Sequence, residues 1–301
     1  TTSEAVAPGS SVHEIVAGDW TAAERRLARD PAAAKTFLPG GRAPRPGEIF
    51  RNENLAKSLE LIAKEGRDAF YKGAIAQAIA ADMKSRDGLI DLEDLAAHKA
   101  DWVEPISTNY RGYDVLEMPP STQGFVALEM RKAAPGYGAG VLGGGTSSVD
   151  FAGRDLGDTI YLTVADSQGN VVSLIQSLFA SFGAGLVAGD TGITLHNRGS
   201  GFVLTPGHPN RIGPGKRPLH TLVPAMILKD SKPWVSFGVM GGANQGQAHA
   251  QVVMNLVDFG MNVRHAGDAA RVRHMGASLA VESGISAEVR RDLESRGHRI
   301  T

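Results

Sequence analysis

The sequence predicts an α+β fold, because stretches with the period of a helix and stretches with the period of a strand follow one another over 301 residues. Leu55, Leu59 and Ile62 recur at helical spacing. Residues 160–165 instead alternate between aliphatic side chains and other types, with the two-residue period of a strand. Short apolar runs such as 222–228 have the length of buried strands. These periods alone predict a mixture of helix and strand and no particular topology.

The other elements follow from the same two periods, taken in chain order. A helical patch covers 20–28, and further helices are expected from Asn52 or Asn54, over 75–83 and from Asp91. Prolines at 119–120 end the strand before them, because proline cannot donate to a sheet. The remaining predicted elements are strands at 110–118, 185–187, 193–195, 203–204 and 234–240 and a helix over 247–258.

Composition limits the possible partners. Hydrophobic residues make up 42% of the chain, which is ordinary for a globular protein. Lys and Arg number 31 against 32 Asp and Glu, so the net charge of -1 favours neither nucleic acid nor an anionic membrane surface. No apolar run reaches the roughly 18–20 residues of a membrane span. We therefore expect a small-molecule substrate and neither nucleic acid nor a membrane as partner.

The residue types also limit the chemistry. The chain has no cysteine, which excludes disulfides and thiol catalysis. Its nine histidines show no H-x-x-x-H or H-E-x-x-H spacing, so we expect no metal and no cofactor. The first residues lack the pattern of a signal peptide, which favours the cytoplasm, although a peptide already removed would leave the same start. The compartment stays open.

The stretch 157–177 reads as a hairpin with a hydroxyl at the start of its first strand. Two β-rich runs flank a turn at 167–170. If the bond between Asp158 and Thr159 were cut, Thr159 would carry both a nucleophilic Oγ and a free α-amine, whose pKa is about 7.7–8.0. A threonine activated by its own amine is an established acyl-transfer arrangement. The plain alternative is a β-forming threonine on a half-buried strand.

The hairpin is one of several motifs that occur in a fixed order. In the second half they are Phe182-Gly183-Ala184-Gly185, 191–193, 214–218, Gly241-Gly242, 257–262 and 268–271, and in the first half 70–73, 110–113 and 118–124. In this order the motifs resemble the γ-glutamyltranspeptidase family of N-terminal-nucleophile hydrolases. The resemblance implies a four-layer αββα sandwich, with two stacked sheets flanked by helices.

The resemblance also implies self-processing. Thr159 would attack the carbonyl of Asp158 and form an ester that water opens. The cut would produce a large-subunit-like part, 1–158, and a small-subunit-like part, 159–301. Together these would form one globular domain, a heterodimer of two fragments of one precursor that could oligomerise further. The large-subunit-like part is shorter than in the family.

Three further residues would assist the nucleophile on this interpretation. Gly241 and Gly242 match the family's glycine pair, and their N–H groups, just before a predicted helix, could stabilise an oxyanion. A bare glycine pair is otherwise most often a turn. Ser177 stands where the family has a threonine that hydrogen-bonds the amine of the nucleophile, and a serine hydroxyl can do the same.

The expected substrate follows from departures from the family pattern. Glutamyl-specific members carry Glu or Gln at the position of Arg198 and Asp at that of Gly201, and those acids bind the α-ammonium of the substrate. Arginine instead suits a carboxylate. A small acid amide without the ammonium is therefore expected, similar to the subgroup that includes oxamate amidohydrolases. Arg198, Asn197, His220 and Thr221 would bind it.

Alternatives remain at three points. Arg198 could form a surface ion pair, and the chain could be a true γ-glutamyltransferase or glutathione hydrolase. It could also be a truncated, catalytically silent relative that only binds a ligand.

Residues 130–157 read as a glycine-rich linker where the family has a long helical stretch, so either segments are missing or the chain is a reduced variant. The G-x-G-x-x-G at 138–143 lacks the flanking strand and helix of a nucleotide loop.

Overall fold

The computed structural model of the protein describes residues 9–132 and 157–301. The predicted linker, with its G-x-G-x-x-G at 138–143, lies almost wholly outside the described residues. The chain forms two compact units. The first unit comprises the residues up to Trp102 together with Leu178–Asn197, and the second comprises Val103–Ser177 and Arg198–Thr301.

The first unit is mainly helical. Its core consists of aromatic and aliphatic side chains, in which the ring of Trp20 lies 5.9 Å from that of Phe37 and 4.7 Å from that of Phe50. The helices are α1 (Glu14–Leu27), α2 (Pro31–Phe37), α3 (Glu53–Glu65), α4 (Arg67–Tyr71), α5 (Ala74–Ser85) and α6 (Leu92–Ala97), and the paired strands are β1 (Ser10–Ser11) and β2 (Ile49–Phe50).

The caps predicted for two of these helices are confirmed. The side chain of Asn52 accepts the N–H of Leu55 at 3.0 Å, and Asp91 forms a capping box with Asp94. Helices start there because these side chains bond the N–H groups that the first turn leaves without partners. The sequence alone therefore located both helix starts.

A buried carboxylate connects two helices of the first unit. Asp30 is the N-cap of α2, where it accepts the N–H of Ala33 at 2.7 Å. Its other oxygen lies 2.6 Å from the guanidinium of Arg86, the residue after α5. Because both oxygens have a charged or hydrogen-bonded partner, the buried charge is compensated.

The second unit is built on an antiparallel sheet with the strand order β3 (Ile106–Tyr110), β4 (Tyr113–Glu117), β7 (Ala225–Lys229) and β8 (Lys232–Phe237). Fully buried Val115 and Ile227 are register partners at its centre. Helix α7 (Gly124–Lys132) packs on β3 and β4 and against α8 (Gln245–Val257). The remaining elements are α9 (Val263–Asp268), β9 (Val272–His274), β10 (Leu279–Val281) and α10 (Ala287–Ser295).

The predicted hairpin is present as β5 (Gly157–Ala165) and β6 (Val171–Ala180), and it belongs to the second unit up to Ser177. Asp166 closes its turn: the Asp166 N–H donates to the Asn170 carbonyl at 3.0 Å, and its carboxylate accepts the N–H groups of Gln168 and Asn170. These hydrogen bonds lower the pKa of Asp166, the largest contribution being that from the Asn170 side chain.

Three of the predictions of a strand are wrong. The residues at 185–187, 193–195 and 203–204 form only isolated bridges, Val187 with Thr194 and Val203 with Arg211. Positive-φ glycines lie at the start of the first run, Gly185, and directly before the second, Gly192, where they interrupt the extended backbone. Gly192, for example, has φ +69° and lies so close to the start of α3 that a Cβ would overlap Asn52.

The predicted helix over 247–258 starts two residues earlier, as α8. No helix within residues 9–132 and 157–301 has both the length and the apolar character needed to cross a bilayer.

Candidate active site

Thr159 lies on the inner face at the start of β5. It is 6% exposed, whereas the neighbouring Ile160 is 60% exposed. Because side chains alternate along a strand, Thr159 faces inward at this end of β5, and the aliphatic residues between 160 and 164 face outward. The side chain of Thr159 is thereby largely shielded from bulk water.

Tyr161, two residues further on the same face, fixes β5 against the neighbouring strands. Its hydroxyl forms hydrogen bonds with Ser173 Oγ at 2.9 Å and with Ser236 Oγ at 2.6 Å. Ser173 Oγ in turn donates to the carbonyl of Ala225 at 3.0 Å. The ring lies over Gly238, where any Cβ would overlap it. The strand that carries Thr159 is thus tied to β8 and to the segment that leads out of it.

That segment ends at the predicted glycine pair, which connects β8 to α8 as expected. Gly241 has φ +113° and Gly242 has φ +55°, both in the region that favours glycine. A single 3-10 turn, Gly242–Asn244, continues directly into α8. Within the described residues, neither glycine N–H donates a hydrogen bond. Two donors at the positive end of a 13-residue helix are suited to a negative oxygen.

Gln123, in the segment before α7, contacts the glycine pair from the other side. Its Nε2 donates to the carbonyl of Gly242 at 2.8 Å and to that of Thr221 at 3.2 Å. The N–H of His220 donates to the carbonyl of Ser121 at 2.9 Å. The 118–124 segment therefore lies between the glycine loop and the predicted substrate-binding residues His220 and Thr221.

Burial and neighbouring cations lower the pKa of His220. Burial, followed by the positive charges of Arg198 and Arg217, lowers the pKa of His220 below its ordinary value. Burial also lowers the pKa of Arg198, which nevertheless stays a cation at neutral pH. Near pH 7 the imidazole is therefore neutral beside a guanidinium, a combination suited to an anionic ligand.

A model of the γ-glutamyltranspeptidase family matches residues 2–143 and 142–301 of the chain. The chain belongs to this family. The predicted family is thus confirmed by a match that includes the hairpin, the glycine pair and the segment at 118–124.

Individual members of the family are similar over most of the chain. The glutathione hydrolase-like YwrD proenzyme of Bacillus subtilis (strain 168) is 33% identical over 331 residues, covering 91% of this chain and 63% of that protein. The oxamate amidohydrolase proenzyme of Klebsiella pneumoniae is 32% identical over 291 residues, covering 80% of this chain and 55% of that protein. The chain spans less than two thirds of the length of either relative.

A solved structure agrees with the fold. The crystal structure of cephalosporin acylase from Bacillus halodurans superposes with a TM-score of 0.88 at 34% identity, covering 99% of this chain and 66% of that one. The predicted fold class, the α+β type of the N-terminal-nucleophile hydrolases, is confirmed.

The other predicted site residues of this family member are placed as follows. Ser177 is half-buried on β6, and Asp158 is part of β5 directly before Thr159. Asn197 belongs to the first unit, where its side-chain oxygen accepts the N–H of Ala180 at 3.1 Å and its own N–H donates to Leu178. The second unit thus contains Thr159, Ser177, the glycine pair, Arg198, His220 and Thr221. The roles assigned to all of these residues stay predictions.

Three buried polar side chains of the second unit are not among the predicted site residues. His249 of α8 and Glu117 of β4 are both fully buried, with 3.0 Å between Nδ1 and Oε1. One turn earlier in α8, Gln245 accepts the N–H of Val223 at 3.2 Å. The described residues contain no group of three or more potential metal ligands. No sequence pattern indicates these contacts, since the partners are far apart along the chain.

Proposed function

We propose that the chain is a self-processing amidohydrolase whose nucleophile is Thr159. The observation that carries the proposal is the inward-facing, buried Thr159 at the start of a strand that Tyr161 ties to β8, the strand leading to two glycine N–H donors. The names of the two relatives, both proenzymes, support a cut precursor.

Processing would use the Thr159 hydroxyl first. Its Oγ attacks the carbonyl carbon of Asp158, the peptide C–N bond breaks and the nitrogen takes up a proton. This produces an ester between Asp158 and Thr159 Oγ. Water hydrolyses the ester, releasing the Asp158 carboxylate and regenerating the hydroxyl on a residue that now has a free α-amine.

Hydrolysis would then use the same hydroxyl. The α-amine accepts the proton from Oγ as Oγ attacks the amide carbonyl of the substrate, and Gly241 and Gly242 donate to the oxyanion. The proton passes to the leaving amine, and water hydrolyses the acyl-enzyme. An unbroken antiparallel register counted from the Asp166–Asn170 pair places Ser177 opposite Thr159, a position from which its hydroxyl could hold the amine.

The substrate we propose is a small amide that carries a carboxylate, as oxamate does. Arg198 would hold the carboxylate, and neutral His220 would contribute a hydrogen bond without a second charge. Thr221 would complete the binding site within the second unit. The similarity to an oxamate amidohydrolase supports this class of substrate.

The second candidate is hydrolysis of glutathione or of another γ-glutamyl compound. The similarity to a glutathione hydrolase-like proenzyme favours it. Its substrate has an α-ammonium group, and neither Arg198 nor Gly201 offers a carboxylate to bind that group. The two candidates therefore differ in the charge that the site must accept.

Replacement of Thr159 tests the nucleophile. Thr159→Ala should remain one uncut chain and hydrolyse nothing, because processing and catalysis both need the Oγ, whereas Thr159→Ser should retain cleavage. Denaturing electrophoresis and amino-terminal sequencing measure the outcome, and the wild-type protein should show a new terminus reading Thr-Ile-Tyr-Leu. Thr163→Ala, an exposed site on the same strand, is the control. A normally cut Thr159→Ala protein would refute the assignment.

A comparison of substrates decides between the two candidates. We expect kcat/KM for oxamate and related monoamides of dicarboxylic acids to exceed that for γ-glutamyl anilides by about tenfold or more, the value of one charge-assisted hydrogen bond. The reverse order would favour the γ-glutamyl candidate. Thr159→Ala protein serves as the blank for both reactions.

A further inference from the structure

We propose that Gln123 is a positioning residue for acyl transfer: its side-chain amide holds the Gly241–Gly242 loop in the conformation that presents its N–H groups, and it ties this loop to the substrate-binding segment at Thr221. The inference rests on the proposed function and adds a residue to it. The first argument is that both protons of the amide are used on the two segments in question, at 2.8 and 3.2 Å.

The glycine loop needs such a restraint. Glycine rotates easily about its backbone bonds, and two in succession can turn their N–H groups away from a fixed direction. The carbonyl of Gly241 is held by the N–H of Asn244 at 2.9 Å. The carbonyl of Gly242 is held by Gln123. The peptide plane that contains the Gly242 N–H is thus anchored through the Gly241 carbonyl, and the next plane is anchored through the Gly242 carbonyl. Together they limit rotation about Gly242 and so hold the direction of its N–H.

Gln123 is itself held rigidly. The hydroxyl of its neighbour Thr122 donates to the carbonyl of Met118 at 2.9 Å and accepts the N–H of Gly124 at 3.1 Å. Gly124 is so close to Met118 and Glu117 that a Cβ there would overlap them. The segment therefore acts as a fixed support from which the glutamine reaches the loop.

The chain contains a matched control. Gln251 of α8 is also half-buried, and its Nε2 also donates to two carbonyls, that of Val272 at 2.9 Å and that of Gln247 at 3.2 Å. Methionine at either position retains the length of the side chain and removes the donors, and at position 251 it also removes the oxygen that accepts the Val272 N–H at 3.0 Å. The control therefore loses at least as many of these hydrogen bonds, which separates a general loss of side-chain hydrogen bonds from an effect on the glycine loop.

The experiment compares Gln123→Met, Gln123→Glu and Gln251→Met with the wild-type protein, using oxamate and a γ-glutamyl anilide. Each rate is divided by the amount of new Thr159 amino terminus. We expect kcat to fall about tenfold or more in both Gln123 variants, with KM changed less than about threefold, because misdirected donors act on the transition state. Gln251→Met should retain kcat within about twofold.

A second readout uses pH. In Gln123→Glu a protonated carboxyl can donate to the Gly242 carbonyl and an ionised one cannot. The kcat of this variant relative to wild type should therefore rise as the pH is lowered, whereas the ratio for Gln123→Met should stay constant.

The outcomes are distinguishable. Equal losses in Gln123→Met and Gln251→Met, a loss confined to KM, or a Gln123 variant that forms no new terminus would overturn the inference while leaving the proposed function intact. An inactive wild-type protein, or an active Thr159→Ala protein, would overturn the proposed function together with this inference.

Discussion

At the scale of single residues, the charges around Arg198 and His220 are the features of the proposed site that bear on the choice of substrate. Burial alone would exclude a charged ligand, since a carboxylate loses its hydration on entering the site. A guanidinium offsets that cost with paired donors. Burial, followed by the charges of Arg198 and Arg217, lowers the pKa of His220, so the imidazole adds no further positive charge near pH 7.

Replacing Arg198 should change both the pKa of His220 and the KM for a substrate that carries a carboxylate. In Arg198→Met the pKa of His220 should rise, because one of the two positive charges that lower it is removed. KM for oxamate should increase about tenfold or more. NMR titration of His220 and steady-state kinetics measure the two effects, with the exposed Arg299→Met as control. Unchanged KM would return Arg198 to the role of a surface ion pair.

At the scale of elements, local signals predicted well and long-range contacts did not. The hairpin and the caps at Asn52 and Asp91 depend on residues within a few positions of each other, so their patterns are visible in the sequence. The strands expected near 185 and 193 failed because nearby glycine conformations break them. Tertiary contacts decide such short runs.

The same difference between local signals and long-range contacts applies to the candidate site. Thr159 and the glycine pair were predicted from their neighbours and from the family resemblance. The bond from Gln123 to Gly242 spans 119 positions, and the pair of His249 and Glu117 spans 132. No spacing rule connects residues so distant, because only the packing of the sheet brings them together.

The hydroxyl of Tyr161 should contribute measurably to the stability of the second unit. Tyr161→Phe removes a group shared by Ser173 and Ser236, and should lower the free energy of unfolding by about 1–3 kcal/mol. Urea unfolding in a Thr159→Ala background keeps the chain in one piece during the measurement. Tyr71→Phe, whose ring stacks on His98, should change stability by less than about 0.5 kcal/mol. Equal effects would contradict this account of β5.

At the scale of the whole molecule, the proposed cut between 158 and 159 does not follow the boundaries of the two units. The first unit combines residues up to Trp102 with Leu178–Asn197, and so takes chain from both sides of the cut. In the second unit, β4 precedes the cut and its partner β7 follows it. Neither fragment contains a complete unit.

The two fragments should therefore remain together after processing. We expect them to elute as one species in size-exclusion chromatography under native conditions and to separate only in denaturant. Uncut Thr159→Ala protein provides the reference elution volume. Fragments that separate in native buffer would show that the strand pairing between β4 and β7 does not hold the processed protein.

Because β4 precedes the proposed cut and β7 follows it, their pairing also affects the kinetic order of the folding reaction. Before the cut, β4 and β7 meet within a single chain, and the chance of their meeting is independent of protein concentration. After the cut the two strands belong to separate polypeptides, so the reassembly of denatured protein is second order in fragment concentration. Dilution then favours the separated fragments. The uncut precursor can therefore refold as a single chain. The processed protein, once denatured, can refold only if its two fragments associate again.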